Sequence, residues 1–171
     1  MGEALKPSLE AMLDAREARW RYRCALAPTC RALVSATVCV PLPLRTQERC
    51  KVFLRAGVQE LRAALAAEGV EVSEAEELDG ADGLTVFLRT DGDPARVKAC
   101  CCALEESLPN GRLLDADVMD ASLRQLSRTE LGLPPRRCFL CGAPAAQCVA
   151  SGRHPPREVA AWIEAWLFDT E

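Results

Sequence analysis

Between residues 32 and 119 the hydrophobic pattern switches repeatedly between the period of a strand and the period of a helix, and few folds accommodate the order that results. Residues 32–40 form a short apolar run rich in Val and Thr. Pro28 precedes it and Pro41 and Pro43 follow it, which predicts a buried strand. Next, Cys50, Phe53, Leu54, Gly57, Val58, Leu61, Ala64 and Leu65 recur at helical spacing, with Thr46 as the expected cap and Gly69 as the stop. Residues 70–78 and 84–89 flank the turn-rich Asp79-Gly80-Ala81-Asp82-Gly83 and predict a hairpin. Asp93-Pro94 opens a second helix with Val97, Cys100, Cys101, Leu104 and Leu108 on one face. Pro109-Asn110-Gly111 breaks it, and residues 112–119 predict a last strand. The order is βαββαβ, an α+β, ferredoxin-like core. In that topology the first and last strands are antiparallel neighbours, so the loop 41–45 is expected near Gly111 and Arg112.

The flanks differ from this core. Residues 9–26 are rich in helix formers, with Leu9, Met12, Leu13, Arg16 and Trp20 at helical spacing, and predict an N-terminal helix. Arg16, Arg19 and Arg23 stack along one side of it, either as a solvated charged face or as an anion grip. After residue 120 come Pro134-Pro135-Arg136-Arg137, a cysteine-containing segment and a helix over 155–167. The chain of 171 residues is therefore expected to be a single domain, 1–171, with its core at 32–119 and a C-terminal Cys/His-containing appendage at 120–171.

Composition narrows the function classes. Apolar residues make up 49% and charged residues 27%, which disfavours disorder. No apolar run approaches the roughly 20 residues of a membrane span, and the start Met1-Gly2-Glu3 has no export pattern, so a cytoplasmic protein is expected. A net charge of −4 and a single tyrosine argue against nucleic acid, which calls for a basic groove and aromatic platforms. Ten cysteines in such a compartment are expected as thiols or metal ligands rather than disulfides. The consecutive Cys100, Cys101 and Cys102 point to different sides of any regular element and read as small buried hydrophobes.

Two constellations could carry chemistry. Asp115 and Asp117 are two apart on a predicted strand whose alternate residues Leu114, Ala116 and Val118 are apolar, so both carboxylates project from the same face, about 7 Å apart at Cα. Such a pair either brackets Mg²⁺ beside substrate phosphates or is a solvated strand face. Cys138, Cys141, Cys148 and His154 form C-x2-C-x6-C-x5-H, which suits tetrahedral Zn²⁺ or else a packed thiol cluster. Arginines such as Arg128, Arg136 and Arg137 would complete a polyphosphate site by gripping oxygens that a metal leaves free.

Taken together, Gly111-Arg112-Leu113-Leu114-Asp115-Ala116-Asp117-Val118, Ser127-Arg128, Arg136-Arg137-Cys138-Phe139-Leu140-Cys141, Ala145, Cys148 and His154 resemble the signature of the CitX family, the holo-citrate lyase synthases. Arg16-Glu17-Ala18-Arg19 resembles that family's N-terminal Arg-Glu-x-Arg, although the family pattern usually has Gln where this chain has Arg23. The resemblance implies a nucleotidyltransferase-like enzyme. It would move the phosphoribosyl-dephospho-CoA group from 2'-(5''-triphosphoribosyl)-3'-dephospho-CoA to a serine of the apo acyl carrier (gamma) subunit of citrate lyase, releasing pyrophosphate. It further implies catalytic roles for Asp115, Asp117 and Arg112, with the two aspartates holding Mg²⁺. Arg128 and Arg45 would grip donor oxygens, and Arg16 and Arg19 would contact donor phosphates or the carrier. The Cys/His segment would be structural, with zinc or without. The reading from another class is a non-catalytic adaptor that binds a carrier protein and contains a zinc knuckle.

Overall fold

A computed structural model describes residues 7–168, which fall into two compact units, one ending at Ser127 and one beginning at Arg128. Met1-Gly2-Glu3 lies outside the described residues. Among the described residues no helix is long and apolar enough to cross a membrane.

The first unit is built on a five-stranded antiparallel sheet of β1 (Ala32–Val38), β2 (Glu76–Gly80), β3 (Gly83–Thr90), β4 (Leu114–Asp120) and β5 (Gln125–Leu126). The spatial order is β2-β3-β1-β4-β5. β1 is central because its residues are apolar on both faces: all but Thr37 are buried. Its register with β4 sets Ser35 opposite Asp117 and Thr37 opposite Asp115.

One face of the sheet is covered by α3 (Glu48–Ala67) and α4 (Pro94–Ser107). α3 buries Cys50, Leu54, Gly57, Val58, Leu61 and Leu65, the stripe that the spacing predicts. Gly57 lets it approach β4, since a Cβ there would lie 3.4 Å from Leu114. The cap differs from expectation. Leu42–Arg45 forms a short helical turn, α2, so Thr46 closes that turn and Gln47 becomes the N-cap of α3. At the other end Gly69 takes φ +73, the left-handed conformation that ends helices. α4 is capped as Asp93-Pro94 predicts, with the Asp93 carboxylate accepting from the Ala95 and Arg96 amides at 3.0 and 3.2 Å. Cys101 and Cys102 are buried and Cys100 is only partly so, because the helix also turns Lys98 and Glu105 inward.

The other face is covered by α1 (Leu9–Leu26), N-capped by Ser8, whose hydroxyl accepts from the Ala11 amide at 3.1 Å. The helix lies where the sequence predicts it, but Leu9, Leu13 and Trp20 are exposed. The side turned to the sheet instead carries Arg19 and Arg23, and Tyr22 stacks on Phe87 of β3 with ring centroids 5.4 Å apart. Small side chains set this closeness, and a Cβ on Gly80 would lie 3.0 Å from that of Ala15.

Two strand boundaries shift. Of residues 70–78 only those from Glu76 onward pair as a strand, while Val72 contributes an isolated bridge to Thr90. The last strand starts at Leu114, because Asn110 in the left-handed region (φ 59) leads into a 3-10 turn over Gly111–Leu113. β5, which the sequence does not signal, pairs with Val118 and Met119 only.

The second unit contains α5 (Ala145–Ser151) and α6 (Pro156–Phe168), preceded by a tight turn closed by an Arg137 to Pro144 bridge. Phe139 packs on Trp162 with ring centroids 5.3 Å apart, and Ile163 is buried.

Candidate functional site

In the first unit, Asp115 and Asp117 project from β4 on the face that α1 covers, both half-buried. The alternation of β4 does this: Leu114, Ala116 and Val118 point to α3 and α4 and are fully buried. Asp117 accepts from the Gln125 amide at 2.8 Å, and Arg23 Nη2 stands 3.6 Å from its other oxygen. The same guanidinium donates to the Ser35 hydroxyl at 3.0 Å. Arg23 is therefore the arginine of α1 that meets Asp117.

One turn earlier on α1, Arg19 pairs with Asp82, which is buried in the two-residue turn between Gly80 and Gly83. Burial pushes the Arg19 guanidinium below its ordinary range; Asp82 opposes that shift, and the positive charges of Arg23, Arg45 and Arg16 add to it. Four arginines thus share one patch of field over the sheet. Asp82 and Asp117 offset part of that positive charge, and a surface of this kind recruits phosphates.

Arg45 reaches the patch from α2. Its Nη2 donates to the Val40 carbonyl at 3.2 Å and its side chain runs against Gly83. Gly83 has φ +103, and a Cβ there would come within 2.5 Å of Arg45 Cγ and 3.0 Å of the Arg45 carbonyl. Gly83→Ala should therefore strain the turn and displace Arg45. A loss of about 1–3 kcal/mol of stability is expected, read by denaturant melts, and an unchanged midpoint would contradict it. The end of β1 meets the start of β4 as the topology requires, with Cys39 N donating to Leu113 O at 2.7 Å. Arg112, half-buried, sits in the 3-10 turn at that junction, and Arg16 is exposed on α1.

Arg128 belongs to the second unit, where it donates to the Pro134 carbonyl at 3.4 Å. There the turn and α5 gather Cys138, Cys141, Cys148 and His154, whose ligand atoms all lie within 4.8 Å of one another. This is a Cys/His cluster of metal-binding type. The Ala143 amide, with His154, Cys148 and Arg153, draws the Cys141 thiol down to about 6, whereas burial pushes Cys148 up to about 11.

A cleft of about 720 Å³ opens elsewhere on the first unit, lined among others by Cys30, Arg31, Glu71, Ser73 and Asp91. It lies at the Ala32 end of β1, whereas Asp115 pairs near the Val38 end.

Sequence reasoning misses five groups. Asp82 reads as a turn residue and Gln125 as loop. Ser35 is a polar residue inside an apolar run, a signal that was available. Lys98 and Glu105 are hidden in a helix whose apolar face looks complete without them. Lys98 Nζ donates to Ala116 O at 2.7 Å and Glu105 accepts from Ala116 N at 3.1 Å. Both side chains are buried, and together they satisfy the outer edge of β4 between the two aspartates, where β5 does not reach.

Comparison with known proteins decides the family. The pattern of CitX, apo-citrate lyase phosphoribosyl-dephospho-CoA transferase, matches residues 7–169. The chain belongs to the CitX family. Proteins of that name from Shigella boydii serotype 18, Escherichia coli O157:H7 and Shigella sonnei are each 34% identical over 96% of this chain and 89% of their own length. CitX proteins are transferases by name, and the match spans both units, so the arginine and aspartate face and the Cys/His cluster both lie within the family pattern.

Proposed function

We propose that this CitX protein transfers the phosphoribosyl-dephospho-CoA group from 2'-(5''-triphosphoribosyl)-3'-dephospho-CoA to a serine of the apo acyl carrier subunit of citrate lyase, and that the α1 face of the sheet is where it does so. The observation that carries the reading is the concentration of Arg16, Arg19, Arg23 and Arg45 on the side of the sheet that also presents Asp115 and Asp117. Arg19 and Arg23 already face Asp82 and Asp117, so a triphosphate would share these guanidinium groups with the carboxylates, and Arg forks suit its oxygens. The strand order β2-β3-β1-β4 with α3 and α4 on one face supports the ferredoxin-like reading of the core.

In the transfer, the carrier serine oxygen bonds to the phosphorus next to the ribose. The bond from that phosphorus to the bridging oxygen breaks, pyrophosphate leaves, and the serine proton is released. Arg19 and Arg45 orient the outer phosphates, Arg23 fixes Asp117, and Arg112 borders the reacting phosphorus. Arg128, in the second unit, is a separate candidate for gripping donor oxygens. Asp115 and Asp117 fit a Mg²⁺ site, since they are hard oxygen donors on one strand face and half-open to solvent. When bound, that ion would offset charge on the attacked phosphate and on the departing pyrophosphate. Either aspartate is within the chemistry required of a base for the serine proton.

The test is the intact mass of apo carrier after incubation with this protein, Mg²⁺ and the triphosphoribosyl donor. A gain equal to the prosthetic group is expected, with pyrophosphate released in equal amount. Unmodified carrier, bound tightly by the protein but never converted, would replace the transferase with the adaptor reading.

A further inference from the structure

The second unit contains four sulfur and nitrogen ligands and very little core. Among its described residues the buried apolar side chains are Cys148 and Ile163. A unit of about 40 residues rarely stays folded on hydrophobic burial alone and usually needs a cross-link or a metal. A disulfide is not what holds it. The sulfurs of Cys141 and Cys148 are 3.5 Å apart, against about 2.05 Å for a bond, and Cys138, Cys141 and Cys148 are all free thiols.

The spacing instead suits a tetrahedron. Zinc bonds of about 2.3 Å to sulfur and 2.0–2.1 Å to nitrogen set neighbouring ligands about 3.5–3.8 Å apart. Here Cys141 Sγ lies 3.5 Å from Cys148 Sγ and 3.3 Å from His154 Nε2, and no pair of the four ligand atoms exceeds 4.8 Å. Local backbone geometry builds this arrangement. Cys138 N donates to Ala143 O at 2.6 Å and Gly142 N to Cys138 O at 3.2 Å, folding residues 138–143 into a knuckle. Gly142 (φ +69) allows that turn. Cys148 comes from α5, and Gly152 (φ +58) ends that helix so that His154 turns back toward it.

We propose that Cys138, Cys141, Cys148 and His154 bind one Zn²⁺ in a closed, structural site that holds the second unit folded. Three thiolates and one imidazole fill all four positions, which leaves none for a substrate or an activated water. The site is therefore a fold-stabilising centre rather than a second active site, and it stands or falls independently of the transfer reaction.

The experiment is elemental analysis of the full-length protein purified under reducing conditions, with Cys141→Ser, His154→Ala and Cys100→Ser beside it. About one zinc per chain is expected in the unchanged protein and in Cys100→Ser, with a several-fold loss in the other two. Because those two variants could unfold, cobalt exchange of the unchanged protein gives a second reading, and the intense absorption of tetrahedral cobalt thiolate is expected. A chelator should lower the melting temperature, and zinc should restore it. Retention of full zinc in Cys141→Ser and His154→Ala would place the metal elsewhere and overturn the proposal. So would a metal-free protein whose melting ignores both chelator and added zinc, which would mark the cluster as packed thiols.

Discussion

Asp117→Asn should lower the transfer rate by about 100-fold or more while leaving the fold intact, an effect of the size seen when one group facing developing charge is removed. Asparagine keeps the shape of the side chain and one carbonyl oxygen, so the hydrogen bond from Gln125 can persist, while the amide NH2 that replaces the second oxygen no longer accepts from Arg23. What is lost is the negative charge on the face that presents both aspartates. The loss should fall on the rate at saturating donor rather than on carrier binding. It is checked by pyrophosphate release at several Mg²⁺ concentrations, with thermal melting as the control. A rate unchanged from the parent, with melting also unchanged, would mean that the pair is a solvated strand face, the bland reading that the sequence left open.

Lys98→Met is expected to be the most destabilising single change outside the purely apolar core. It removes the charged donor to Ala116 O from a buried edge whose other backbone group, Ala116 N, is held by Glu105. Breaking a buried charged arrangement from one side costs about 3 kcal/mol, which for a chain of this size lowers the melting midpoint on the order of 10 °C. Lys98→Met combined with Glu105→Leu should recover part of the loss, because two apolar side chains of similar volume leave no orphaned charge. Chemical denaturation of the three variants gives the comparison. If the double variant were as unstable as the sum of the singles, the two side chains would be acting independently rather than as one cap on the Ala116 peptide.

How much of this was legible depends on what each residue needs to declare itself. The α3 stripe from Cys50 to Leu65 and the Asp93-Pro94 start of α4 are local signals, and both are realised. The Asp115 and Asp117 alternation was readable because Ala116 and Val118 mark the opposite face. The burial of α1 was not, since Leu9, Leu13 and Trp20 mimic a core stripe while the contact is made by Ala15, Arg19 and Tyr22 against a glycine-bearing sheet edge. Arg23 shows in the sequence as one of three stacked arginines, but its choice of Asp117 depends on the register of β1 against β4. Lys98 and Glu105 gave no signal at all, because their partner is a backbone group left open where β5 stops short. The Cys/His spacing predicted a cluster, and the clustering is realised because two left-handed glycines, Gly142 and Gly152, close the loop around it.

The most direct test of the central claim, that the α1 face of the sheet receives the donor, is a crystal structure of the protein with 2'-(5''-triphosphoribosyl)-3'-dephospho-CoA and Mg²⁺ in the absence of carrier. Triphosphate density bounded by Arg19, Arg23 and Arg45, with the ion against Asp115 and Asp117, is the expected result. Density for the triphosphate in the cleft beside Arg31 and Arg89, with the aspartate face carrying only water, would contradict it.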